Sequence, residues 1–120
     1  MITKKQFKLF VNEHQKWVKK FGLFPWKCNY HLSGKSDDFR GAWNRIEFDN
    51  QLCDVYLERD FKPEKFEGSV ENALKRTAKH EALHILLAPL WIPLNERFID
   101  RHSVGMANED LVRRLEELIQ

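Results

Sequence analysis

Residues 80–84 read His-Glu-Ala-Leu-His, and this short pattern constrains the fold more than any other stretch of the chain. Two histidines four residues apart face the same way when the backbone between them is helical, because residues i and i+4 stack on one side of a helix. The flanking sequence agrees: Val70 to Ala88 reads as a single helix, with Ser69 as N-cap and Asn72 at the N3 position. Stepping about 100° per residue separates three faces. Lys75, Arg76 and Lys79 share a side expected in water, and Leu74, Ala78, Ala82 and Ile85 a side expected in the core. Ala73, Thr77, His80 and His84 form a third stripe opposite the basic side, so it should point inward, with Glu81 on its border with the core stripe. Ala73 and Thr77 are small and leave room there for a cleft.

The other periodic segments set the frame around this helix. Phe7, Phe10, Val11, Trp17, Val18 and Phe21 recur at helical spacing through Thr3–Phe21, with Thr3 as N-cap and Gly22 as the stop. His14 lies on that apolar stripe and reads as a core-edge histidine rather than a ligand. Trp26, Cys28, Tyr30 and Leu32 alternate with polar neighbours, the period of a half-buried strand. Arg40–Phe48 and Leu52–Leu57 read as two further strands joined by a hairpin-like turn at Asp49-Asn50-Gln51. Ser33 to Asp38 is a polar turn, and Glu58 to Glu67, with Pro63, a charged surface connection. Gly34-Lys35-Ser36 superficially resembles a phosphate loop, but Asn29 stands where that loop needs its first glycine. Asn108–Ile119 closes the chain as an amphipathic helix whose core side is Leu111, Leu115 and Leu118, with Val112 and Ile119 adjoining. The expectation is one α+β domain over residues 1–120: an N-terminal helix, a three- to four-stranded, largely antiparallel sheet, the motif helix and a C-terminal helix.

Bulk properties exclude several function classes. A formal charge of +2 is too balanced to argue for nucleic acid or an anionic membrane. The longest nearly apolar run, Ala82 to Pro93, is broken by His84 and two prolines and is too short to span a bilayer. The first residues lack the apolar stretch of a signal peptide. Cys28 and Cys53 have no metal-binding spacing and fall in strands, so they are expected as buried or half-buried thiols rather than a disulfide. A cytoplasmic, monomeric protein is the default.

The chemistry implied by H-E-x-x-H is zinc hydrolysis: two histidine ligands, with the intervening glutamate as general base. His80 and His84 are the candidate ligands and Glu81 the candidate catalytic residue. Catalytic zinc usually takes a third protein ligand and keeps a position for water. The extended motif that ends in a third histidine is excluded, because Leu87 and Leu90 occupy its glycine and histidine positions. Downstream donors are Glu96, Asp100, His102, Glu109, Asp110 and Glu116. Glu109 ranks first, as it shares a flank of the last helix with Val112, Glu116 and Ile119; His102 and Glu116 follow. The plainer account of Glu109 is a first-turn acid favoured by the helix dipole.

His80-Glu81-Ala82-Leu83-His84-Ile85-Leu86-Leu87-Ala88-Pro89-Leu90, followed by Glu109-Asp110-Leu111-Val112-Arg113-Arg114-Leu115-Glu116, resembles small, mostly phage-encoded zinc metallopeptidases of a minimal gluzincin type. The resemblance runs over nearly the whole chain, though only the two helical motifs are specific. It implies a peptide or protein substrate, Zn²⁺ as cofactor and a ligand role for Glu109, with Asp110 as a second acid where the family commonly has Glu. The SprT-like peptidases are a second resemblance, through a third histidine that His102 could supply. Tyr30, His31 and His102 are candidate oxyanion donors. The alternative to an enzyme is a non-hydrolytic zinc-binding phage protein that acts by binding a host or phage partner.

Overall fold

The computed structural model describes residues 1–23, 25–34, 41–62, 68–90 and 101–119, with the side chains of 101–104 outside that description. The order is α1 (Lys4–Lys20), β1 (Lys27–Ser33), β2 (Ala42–Glu47), β3 (Leu52–Glu58), α2 (Val70–Leu86) and α3 (Arg101–Leu118). Helix α1 begins as its sequence requires. Thr3 accepts from the Gln6 backbone N–H, and the Gln6 side chain accepts from the Thr3 N–H, which closes a reciprocal capping box. At its other end Gly22 adopts φ 73°, a conformation that costs glycine little. Ser69 caps α2 through the Asn72 N–H.

The α+β architecture is as expected, and the sheet is mixed. Its order is β1-β3-β2: β2 and β3 pair antiparallel, while β1 and β3 pair parallel. The expectation of a largely antiparallel sheet therefore holds for the hairpin alone. β1 and β2 are not neighbours: β3 lies between them, parallel to the first and antiparallel to the second. β3 is thus the central strand, and Cys53, Val55 and Leu57 on its inner side are essentially inaccessible. They join Phe10 of α1 and Leu74, Ala78 and Ile85 of α2 in one apolar cluster. Burying each large side chain of this set contributes about 1.5–3 kcal/mol. On the outer face His31, Tyr56 and Trp43 stack across all three strands, with ring centroids 4.8 and 5.0 Å apart.

Two readings of helix faces are corrected. Lys75 is exposed as expected, but Arg76 and Lys79 pack against α3: Arg76 pairs with Glu116 and Glu117, and Lys79 Nζ donates to the carbonyls of Glu116 and Ile119 at 2.6 and 2.8 Å. A basic helix face meets water only where no neighbour offers it acceptors, and the carbonyl end of α3 does. On α3 the inward stripe is Asn108, Val112 and Glu116; Leu115 is half-buried, while Leu111 and Leu118 are exposed. The polar partners on α2 select the sector next to the leucines. Helix α3 also starts at Arg101 rather than Asn108, so Glu109 lies two turns inside it and the first-turn dipole account fails. Among the described residues no helix is long and apolar enough to cross a membrane.

Candidate metal centre

Helix α2 delivers His80 and His84 to the same side, and α3 meets them with Asn108, Glu109 and Glu116. His80 Nε2 lies 2.7 Å from Glu109 Oε1, and His84 Nε2 lies 2.9 Å from Glu109 Oε2. The two Nε2 atoms are 3.2 Å apart. One donor atom from each of the three residues thus falls within 4.8 Å of the others. Glu109, ranked first on sequence, is the acid brought to both histidines.

The far side of each imidazole is also tied. His80 Nδ1 is 2.8 Å from Glu116 Oε2, and His84 Nδ1 is 2.8 Å from Asn108 Oδ1. With acceptors there, both rings donate from Nδ1, which aims each Nε2 at Glu109. This is the outer hydrogen-bonding that orients metal-bound histidines. Glu116, third among the ligand candidates, instead holds the back of His80, anchored by Arg76 at 3.4 Å. Asp110 pairs with Arg114 on the exposed side of α3, away from the cluster. Glu96, Asp100 and the His102 side chain lie outside the described residues. Tyr30 and His31 are engaged elsewhere: the Tyr30 hydroxyl lies 2.8 Å from His14 Nδ1, and His31 Nε2 bonds Asp54 at 3.0 Å.

The imidazoles and carboxylates of the cluster stabilise one another's charged forms. Burial alone would lower the pKa of His80, but its hydrogen bonds to Glu109 and Glu116 outweigh that and raise it to about 10. Hydrogen bonds from His80 and His84 hold Glu109 well below the usual carboxylate range. Burial opposes ionisation of Glu116, yet His80 and Arg76 still lower its pKa. A proton on His80 facing ionised Glu109 is therefore favoured. The donor set of two imidazoles and a carboxylate is one that zinc accepts.

Glu81 sits beside the cluster at 6% exposure. Burial raises its pKa to about 7, against the opposing pull of His84 and His80. Its partner comes from the sheet. Asn44 of β2 donates from Nδ2 to Glu81 Oε2 at 2.6 Å and to the Glu81 carbonyl at 3.2 Å. Sequence reasoning missed both Asn44 and Asn108. Asn44 left a trace, since it shares the inward parity of Ile46 in its strand, and a buried amide needs a partner. Asn108 left none beyond standing next to Glu109.

No family model, curated protein or solved structure matches the chain.

Proposed function

We propose that the chain is a zinc-dependent metallopeptidase in which His80, His84 and Glu109 hold the metal and Glu81 is the general base. The observation that carries this reading is the convergence of two Nε2 atoms and one carboxylate beside a separately held, buried glutamate. A structural zinc site has no use for that glutamate. Zinc bound there would act as a Lewis acid and bring the pKa of its water to about 7.

The remaining work falls to the protein. Glu116 and Asn108 keep each histidine in the tautomer that offers Nε2. Asn44 fixes Glu81 through Oε2, leaving Oε1 to take the proton of the attacking water. A pKa of about 7 lets Glu81 accept that proton and return it to the leaving amine near neutrality. The substrate class, a peptide bond, rests on the resemblance of the two helical motifs. We place the activity in the cytoplasm, where Cys28 and Cys53 rest as free thiols.

The test is metal analysis joined to cleavage profiling. Wild type loaded with zinc at neutral pH should hold one ion per chain, and Glu81→Gln should hold the same amount. In a peptide library the variant should cut about 10²–10⁴-fold more slowly. A chain that binds no zinc ends the proposal. Zinc binding without any cleavage by wild type leaves the binding-only alternative.

A further inference from the structure

A line of polar side chains crosses the inner face of the sheet and ends at Glu81. It begins at His14 of α1, whose Nδ1 meets the Tyr30 hydroxyl. Tyr30 stands on the same face of β1 as Cys28, two residues back, and Cys28 stands beside Cys53 of β3. Cys53 Sγ donates to Asn44 Oδ1 at 3.5 Å, and the other end of the Asn44 amide holds Glu81. Cys28 and Cys53 are direct register partners on paired strands, so their side chains stand side by side on one face. Paired strands lie about 4.8 Å apart, inside the roughly 4.4–6.8 Å Cα range that a disulfide spans. Both thiols are free; Cys28 is half-buried on an edge strand, while Cys53 is 1% exposed.

We propose that Cys28 and Cys53 form a reversible thiol–disulfide switch, oxidised by hydrogen peroxide, that acts through Asn44 on Glu81. The switch itself stands on the two strands; its effect on hydrolysis rests on the function proposed above. Cys28 is the attacking thiol, because it is the more accessible. The Cys28 thiolate attacks one peroxide oxygen, the O–O bond breaks, and hydroxide leaves to become water with a proton from solvent. Cys53 then gives up its proton and attacks the Cys28 sulfur, forming the S–S bond and expelling the sulfenic oxygen as a second water. Two thiols and one peroxide become one disulfide and two waters. The disulfide has no S–H, so Asn44 Oδ1 loses its donor and the amide that fixes Glu81 is released from one end.

The test uses the full chain treated with hydrogen peroxide. Peptide mapping should find Cys28 joined to Cys53, and dithiothreitol should separate them. The Asn44 side-chain amide signal in a ¹⁵N–¹H spectrum should move on oxidation, return on reduction, and stay fixed in Cys28→Ser, with Cys28→Ala as the second variant. Hydrolysis of fluorescein-labelled casein by the zinc-loaded wild type should fall about tenfold or more on oxidation, and that of Cys28→Ser should not. Absence of the cross-linked peptide at a dose that oxidises the exposed Met106 overturns the switch. So does a disulfide that leaves the Asn44 signal unmoved. If reduced wild type cuts no casein, that failure counts against the peptidase reading, and the Asn44 signal alone decides the switch.

Discussion

Helix α2 meets α1 and the sheet through Leu74, Ala78 and Ile85, all fully buried, and meets α3 through Arg76, Lys79, His80 and His84. On the first side the neighbours are carbon: Phe10, Val55 and Leu57. On the second they are carboxylates, an asparagine and the carbonyls of a helix end, with Val112 as a buried apolar residue of α3. The first contact is held mainly by the hydrophobic effect, which itself responds to neither pH nor metal. The second is held by charge, which a proton or an ion can strengthen or remove. One helix thus joins a permanent core to a conditional joint, and the candidate site lies in the joint.

Withdrawing metal gives the largest separation of the two regions. If zinc is present at a thousandfold over its dissociation constant, chelation removes about 4 kcal/mol from whatever it holds. Amide exchange over residues 108–118 should then accelerate far more than exchange in β3; equal acceleration in both would abolish the distinction. Leu74→Ala should cost about 3 kcal/mol in urea unfolding, by the same amount with zinc or with chelator. A metal-dependent cost would mean that core and joint are one unit.

The core has its own sensitivity to acid through His14, which is inaccessible and whose pKa burial lowers from 6.5 to about 4. The folded state therefore binds fewer protons than the unfolded one between those values, and stability falls as pH drops from about 6.5 to about 4. The total loss is about 3 kcal/mol, and His14→Phe should flatten that part of the stability–pH curve. An unchanged slope would locate the acid sensitivity in the joint instead. The smallest effect is expected from Lys79→Met, which removes the Nζ over Trp17 and its two hydrogen bonds to α3 carbonyls. It should cost about 0.5–1.5 kcal/mol and speed exchange only around residues 116–119. Spread of the effect into β3 would show that the joint stabilises the core.

The sequence spoke most clearly where one period dominates. Leu74, Ala78, Ala82 and Ile85 are buried where the helical wheel put them, and His80 and His84 face α3 together with Glu109. It was silent where a neighbour from elsewhere decides the outcome. The parallel pairing of β1 with β3 depends on which strand arrives last between two others, and no local pattern encodes that. The leucines of α3 promised a core side, yet Asn108 and Glu116 lie inward because His84 and His80 offer them hydrogen bonds. Arg76 and Lys79 resembled a solvated face because a wheel contains no second helix. Asn44 was legible in parity alone, as an amide on the inner side of an otherwise apolar strand.

The three candidate ligand atoms and the two groups behind the histidines all come from α2 and α3, whereas the amide that holds Glu81 comes from β2. Under the proposed function, the helices alone would hold the ion, and the strand would add only the grip on Glu81. A two-helix peptide copied from this protein would inherit the His80, His84 and Glu109 cluster without that grip. An engineer who wanted a sensor could stop at the helices; one who wanted a catalyst would have to carry the strand along.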